Sequence, residues 1–437
     1  MLRAIQAAGY FFPDSTGGTE VYVGDLAHAL HPLGCESTVV APGHDLAARG
    51  YDWQGVPVER FPWSHAGDPL IISGRRPHRG FDAFLALLDR AAPDIYHQHS
   101  WTGGCGHHHL RAAKERGFRC VTTVHLAGNV CLSGTMMRMG ERACDGRIDE
   151  HACSACWAVT RKRIPPVIAA PLTRLSRWAS SGGAPGARPL SRLTAAFDWH
   201  RERFEWMDRY SDRIVVVCQW LYDALLLNGI GRDKLVLCRQ GVGEAFDAAR
   251  PRPDRPSGGP LRIGFLGRLD PAKGLDLLLR ALRRVPAAPL ELRVYGIAND
   301  ADESGYADRI RAQADADPRV RLQAPIPRGR IRDALSDLDV LAVPSQVMET
   351  GPLVALEALA AGTPVLGSRL GGLAELVTEG VSGWLVAHES VAAWAESLAG
   401  LCRTRASIVR PSAPVRSMRE VAQDTMELYK SLVARAR

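Results

Sequence analysis

The stretch from Leu338 to Ser368, LDVLAVPSQVMETGPLVALEALAAGTPVLGS, decides the fold. Its apolar run LDVLAVP reads as a strand buried on both faces, and TPVLGS as a second one. Between them Gly351 and Pro352 mark the start of a helix, since proline suits a first helical turn, where its missing N–H is no loss. Strand, loop, helix and strand in that order make the crossover unit of a parallel sheet.

The same alternation extends both ways. Downstream of Pro260, LRIGFLG, LELRVYG and VRLQA are further strands, with helical patterns between them. Upstream, strands are expected at residues 3–9, 37–41, 95–97, 121–125 and 213–218, and helices at 20–30 and 82–91. The proline-rich segment PRPDRPSGGP has no core-forming residue and reads as a linker. The expected fold class is therefore α/β: two doubly wound, Rossmann-like domains facing each other across a cleft, with ligands at the carboxyl ends of the strands. The expected boundaries are an acceptor domain at 1–250, a linker at 251–260 and a donor domain at 261–418. An amphipathic closing helix at 419–437 would return to the first domain.

Composition narrows the classes of function. A chain of 437 residues with 46% hydrophobic and 23% charged residues can bury a sizeable core. Its ten cysteines are too sparse for a disulfide scaffold. No stretch approaches the roughly 18 to 20 apolar residues of a membrane span. The N-terminus reads as a first strand running into a glycine turn rather than a signal peptide, so a cytoplasmic location is expected.

The net charge of +7 is local. Arg161, Lys162, Arg163, Arg174, Arg177, Arg188, Arg192 and Arg201 face the single acid Asp198, and the rest of the chain balances. Pro171 could open a short helix there, with Leu172, Leu175 and Trp178 at helical spacing. Two readings stand: contact with an anionic membrane surface or lipid-phosphate acceptor, or a solvated insertion around SSGGAPGA. No nucleic-acid-binding module accompanies the charge.

Two motifs carry the chemistry. GRLDPAKG, residues 267–274, puts Arg268 and Lys273 at the carboxyl end of a strand, where a guanidinium and an ammonium suit a diphosphate. Glu349 and Glu357 stand eight residues apart around a helix start whose free N–H groups favour an anion. A carboxylate there accepts hydrogen bonds from paired hydroxyls, as on a ribose or another sugar. For each motif alone a solvated loop, or a helix with acids at its end and surface, explains the residues as well. The DLD at Asp337–Asp339 opens a strand and reads as structural. His107, His108 and His109 are consecutive at a helix start, cannot share one site, and read as structural too. His97 and His99 end the strand DIYHQH beside Trp101; His99 and Trp101 are acceptor-site candidates.

Taken together, GRLDPAKG, the E-x₇-E pattern and LGGLAELVTEGVSGWLV resemble the large family-4-type retaining glycosyltransferases of the two-Rossmann-domain class. The likeness extends to GGTE at residues 17–20 and VTTVH ending at His125. It implies a nucleotide-sugar donor, with Arg268 and Lys273 on the diphosphate and Glu357 on the ribose. Glu349 would meet the transferred sugar's hydroxyls, and the backbone of Thr350, Gly351, Pro352 and Leu353 would line sugar and phosphate. Gly17 and Gly18 match the N-terminal glycine loop, and His125 the histidine contacting the donor sugar. Arg268, Lys273, Glu349 and His125 are the implied catalytic set, and no catalytic metal is implied. The partners implied are the donor and a glycan or lipid-linked acceptor, at the inner face of the cytoplasmic membrane, in bacterial cell-surface glycan or glycolipid synthesis. A nucleotide-sugar 2-epimerase and a non-catalytic, metal- or redox-responsive partner of another transferase are the alternatives.

The cysteine cluster departs from that pattern. Cys131, Cys144, Cys153 and Cys156 are spaced C-x₁₂-C-x₈-C-x₂-C. In a reduced compartment this suits a structural Cys₄ zinc site or an iron–sulfur cluster, with redox-paired or unligated thiols as the alternative. A similar cluster accompanies a subset of bacterial polysaccharide-type glycosyltransferases.

Overall fold

The computed structural model describes residues 1–15, 17–43, 49–99, 101–180, 188–246, 259–297, 305–408 and 410–434, with side chains at all of these except 179–180 and 188–193. Two compact units emerge: residues 1–240 with 418–437, and residues 241–417. The expected linker falls, apart from residues 259–260, outside the described residues, as do residues 181–187 of the basic insertion.

The first unit is built on an eight-stranded sheet. Its order is Leu235–Leu237, Arg213–Val216, Arg119–Val124, Ile95–Gln98, Leu2–Ala7, Cys35–Gly43, Val56–Pro62 and Arg49–Trp53. Only the last pair is antiparallel. Leu2–Ala7 pairs with Cys35–Gly43 on one side and Ile95–Gln98 on the other, so the strand order reverses there. Ligands of doubly wound sheets bind beyond the strand ends at such a reversal. Here the glycine loop and His99 follow those strand ends. The helix Met418–Ala434 belongs to this unit, and its Val421, Ala422, Met426 and Tyr429 share a core with Tyr22, Val23 and Leu26 of the helix Gly18–Leu30.

The second unit carries six parallel strands in the order Val320–Leu322, Leu290–Ile297, Leu261–Arg268, Val340–Val343, Val365–Ser368 and Gly383–Val386. The order reverses at Leu261–Arg268, which pairs with Leu290–Ile297 and Val340–Val343. The loops leaving Leu261–Arg268 and Val340–Val343 are the two quoted as motifs. Asp337 and Asp339 brace this sheet. Asp339 accepts from Arg262 N–H at 2.9 Å, and Asp337 meets the guanidinium groups of Arg262 at 2.9 Å and Arg293 at 2.5 Å.

The structure corrects one local expectation. Pro171 does not open a helix; it sits inside Pro166–Ser180, which begins at Pro166 instead. Pro171 is exposed there, so the lost backbone hydrogen bond falls on the solvent side. The face turned inward is Ala169, Thr173 and Ser176, all buried, while Val167, Ile168, Leu175 and Trp178 stay exposed.

Candidate active site

In the second unit, Arg268 ends its strand and is exposed, with no carboxylate of a described residue in ion-pair reach. The chain then turns through Pro271–Lys273, where the Asp270 side chain caps the turn by accepting from Ala272 N–H at 2.8 Å. That turn aims Lys273 Nζ at the adjacent loop, where it donates to both carboxylate oxygens of Glu349 at 3.0 Å. Ser345 Oγ also donates to Glu349. The pair is partly sheltered, Lys273 29% and Glu349 13% exposed, so water screens it less than a surface ion pair.

Backbone contacts lock the two loops together. Gln346 N–H donates to the Ala272 carbonyl at 2.8 Å, and its side chain donates to the carbonyls of Pro344 and His388. Gly274 adopts φ +71°, and a Cβ on it would stand 1.9 Å from the Pro344 carbonyl oxygen. Gly371 and Gly372 play the same part from the other side: a Cβ on Gly372 would lie 2.5 Å from the Thr350 carbonyl oxygen, and Gly372 N–H donates to the Glu349 carbonyl at 2.7 Å. The helix Leu353–Ala360 follows, Pro352 at its N-cap and Glu357 one turn in, and its first backbone bond is donated by Ala355. The N–H groups of Leu353 and Val354 precede that bond, the position from which helix starts hold anions. Arg268, Lys273, Glu349 and residues 350–353 thus share one sheet edge, at the reversal point.

In the first unit, His125 follows its strand and is buried, as are His97 and His99. His99 Nδ1 lies 3.1 Å from His125 Nε2, and His99 Nε2 lies 2.9 Å from Gln6 Oε1. Gln6 reaches Tyr429 of the last helix at 3.2 Å, and His97 joins Tyr429 at 2.6 Å and Thr123 at 2.7 Å. Burial holds the pKa values of His97 and His125 down to about 3, so both rings are neutral near pH 7. Both ring nitrogens of His99 are committed, to His125 and Gln6, and it is 2% exposed. Gly17 caps the helix Gly18–Leu30, and a Cβ there would meet Glu20 Oε2 at 2.5 Å, so the glycine leaves room for that carboxylate.

The four cysteines surround one pocket of about 310 Å³. Cys131 opens a tight turn, with Gly134 N–H donating to its carbonyl at 2.9 Å, and Cys144 follows the small hairpin of Met137–Arg138 and Arg142–Ala143. Cys153 and Cys156 lie on the helix Glu150–Lys162, and Met139 N–H donates to Cys156 Sγ at 3.2 Å. Among the described residues, no three His, Cys, Asp or Glu side chains close on a point as the ligands of a bound ion would.

The motifs did not single out Gly371 and Gly372 as the clamp on the Glu349 loop, although the GG pair stood in the quoted sequence. Tyr429 was out of reach, because a tyrosine 423 residues from its partner Gln6 leaves no local signal.

Comparison with known proteins gives two family matches. "Glycosyl transferase 4-like domain" covers residues 17–241, and "Glycosyl transferases group 1" covers residues 249–410. A D-inositol 3-phosphate glycosyltransferase of Corynebacterium urealyticum is 34% identical over 182 residues, 39% of this chain and 43% of that protein. One from Mycolicibacterium paratuberculosis is 36% identical over 148 residues, 33% of this chain and 32% of that protein. The chain therefore spans well under half the length of these curated relatives. Among solved structures, Anabaena Alr3699/HepE in complex with UDP and glucose superposes with a TM-score of 0.62 at 16% identity, covering 99% of this chain and 100% of that one. Sucrose-phosphate synthase from Thermosynechococcus elongatus gives 0.64 at 17% identity, with the same coverage. These two likenesses establish the fold.

Proposed function

Because this chain belongs to the family of the glycosyl transferase 4-like domain, we propose that it is a retaining hexosyltransferase using a nucleotide-sugar donor. The observation that carries the reading is the loop pair of the second unit, where Lys273 is held against Glu349 at 3.0 Å beside the exposed Arg268. In this reading Arg268, Lys273 and the N–H groups of residues 350–353 take the diphosphate, and Glu357 takes the ribose hydroxyls. Glu349 orients Lys273 and accepts from hydroxyls of the transferred sugar. Gly17 and Gly18 give backbone access to the donor, His125 meets the donor sugar, and His99 positions His125 rather than touching the acceptor.

The bond from the anomeric carbon to the diphosphate oxygen breaks, and a bond to the acceptor oxygen forms on the same face. A donor phosphate oxygen takes the acceptor's proton, so the reading requires neither a dedicated base nor a catalytic metal. The negative charge growing on the leaving group is what Arg268 and Lys273 stabilise. The test is a thermal-shift titration with UDP, GDP, ADP and their sugar conjugates. At 100 times its dissociation constant one nucleotide series should raise Tm by about 5–10 °C, and Glu357→Ala should abolish the shift. A flat response to every nucleotide sinks the reading. Product analysis separates the alternatives, since a 2-epimerase changes the donor sugar without an acceptor.

Two further parts belong to this proposal. The four cysteines hold a structural zinc ion or iron–sulfur cluster: all four line one pocket, with the buried Val130, Met136 and Met137 beside them, and a metal bound there would add to the stability of the module. Elemental analysis of gently purified protein should find stoichiometric metal; less than about 0.2 per chain would exclude it. The enzyme works at the inner face of the bacterial cytoplasmic membrane, in surface glycan or glycolipid synthesis. Val167 (84% exposed), Ile168, Leu175 and Trp178 (61%) stand out from a helix that also carries the exposed Arg174. Sedimentation with anionic vesicles should fall with salt and in Trp178→Ser; binding that ignores both rejects this contact.

A further inference from the structure

A pocket of about 210 Å³ in the first unit opens beside Leu126, the residue after His125. Trp101 and Asn129 line it, as do His200 and Arg203 of the helix Arg188–Tyr210. Arg161 enters from the end of the helix Glu150–Lys162.

The charge inside this pocket is unbalanced. Arg161 donates to the Ser133 carbonyl at 2.8 Å, and Arg203 reaches His200 Nδ1 at 3.4 Å. Among the described residues neither arginine has a carboxylate partner, and Arg203 Nε is buried without a hydrogen-bond acceptor. His200 does not supply the missing charge. Its Nε2 lies 3.0 Å from the Val130 carbonyl, which places the ring proton on Nε2 and leaves the Nδ1 lone pair toward Arg203. Burial holds the His200 pKa down to about 4, so the ring is neutral near pH 7. Arg75 adds a like charge near Arg203, and burial and Arg75 together lower the Arg203 pKa. A guanidinium nevertheless stays protonated at any working pH. Two fixed positive charges therefore line the pocket, one largely withdrawn from water, and no described residue compensates them. A buried cation left without a partner is destabilising, so such a site is complete only when an anion enters it.

Two guanidinium forks and no competing acid suit an oxyanion carrying close to two charges, which is a phosphate group near neutral pH. We propose that the Arg161–Arg203 pocket binds a phosphate group of the acceptor and so selects phosphorylated acceptors. The assignment rests on the glycosyltransferase reading for the word acceptor, whereas the anion site stands on the pocket alone. Trp101, expected from the sequence at the acceptor site, lines this pocket; His99 does not.

The experiment uses the full chain and three variants, Arg161→Gln, Arg203→Gln and the double substitution, with the exposed Arg174→Gln as control. Arg203→Gln removes an uncompensated buried charge, so its Tm without phosphate should match or exceed that of the parent. Inorganic phosphate and a soluble sugar phosphate are titrated at constant ionic strength, alongside vesicles with and without phosphatidic acid. The parent and Arg174→Gln should be stabilised by the soluble phosphates, by about 5–10 °C at 100 times the dissociation constant. The double variant should show no shift, yet respond to the nucleotide series as the parent does. That pattern assigns a soluble phosphorylated acceptor. Binding only to phosphatidic acid vesicles, lost in the double variant, assigns a lipid phosphate instead. A phosphate response that survives in the double variant, or no phosphate response from any source, overturns the proposal. A marked fall in Tm for Arg203→Gln also overturns it, since the charge would then be paired within the fold. A chain that answers to phosphate but to no nucleotide keeps the anion site and rejects the transferase reading.

Discussion

Lys273→Ala should lower kcat about 10²–10³-fold, the loss typical when one preorganised stabiliser of a developing oxyanion is removed. Lys273 is the more constrained of the two cations at the strand reversal. Its ammonium is fixed by two 3.0 Å contacts to Glu349, within a loop whose turn is set by Asp270. An ammonium already in place reorganises little as charge develops on the leaving diphosphate, and that is what makes such a group effective in the transition state. Glu357→Ala should behave differently. The ribose lies away from the breaking bond, so this variant should mainly raise the donor KM, as loss of uniform binding does. Steady-state kinetics of both variants with the nucleotide sugar found by titration checks the contrast. A Lys273→Ala enzyme within about threefold of the parent kcat would remove Lys273 from the chemistry.

Strands with a regular apolar pattern were the most legible part of the fold. LRIGFLG and LELRVYG place buried apolar residues at every second position, Leu261, Ile263 and Phe265 in one and Leu290, Leu292 and Val294 in the other, and they pair in register over eight positions, Leu261↔Leu290 to Arg268↔Ile297. Val56–Pro62 was not legible: VPVERFP carries two prolines and two charges, and it forms a strand because Cys35–Gly43 offers a parallel partner. Arg60 within it is buried and donates to the carbonyls of Phe11, Phe12 and Pro42, steadying the loop before Gly17. No local pattern predicts that an arginine will be spent in this way. The two loops of the candidate site were readable because their chemistry is contiguous in sequence, GRLDPAKG on one loop and Glu349 with its helix start on the next. The phosphate pocket was not, since Trp101, Arg161 and Arg203 come from three separate elements. The basic run announced a charge excess. Which arginines turn inward depends on how three helices pack.

Gly274→Ala should cost about 2–5 kcal/mol in the second unit, the sum of a left-handed backbone forced on alanine and an overpacked contact. Two independent observations converge on this position. Its φ of +71° lies where only glycine is at ease, and its missing side chain is what lets the Pro344 carbonyl approach, since a Cβ would stand 1.9 Å from that oxygen. Pro344 is backbone, with Val343 behind it in the central sheet and Ser345 and Gln346 ahead of it. The clash cannot be relieved by turning a side chain, so the two loops must separate. For a domain of this size the fall in Tm should be roughly 5–15 °C. Activity should fall as well, because the separation moves Lys273, one residue away, from Glu349, one turn beyond Gln346. Gly267→Ala is the fitting comparison: a Cβ there meets nothing closer than the Phe265 ring at 3.9 Å, so it adds a methyl group at the end of the strand that leads into this loop, without strain. If Gly274→Ala melts and turns over like Gly267→Ala, the loops are not locked through Pro344. The tight approach of the two strand ends would then not be what holds Lys273 in place.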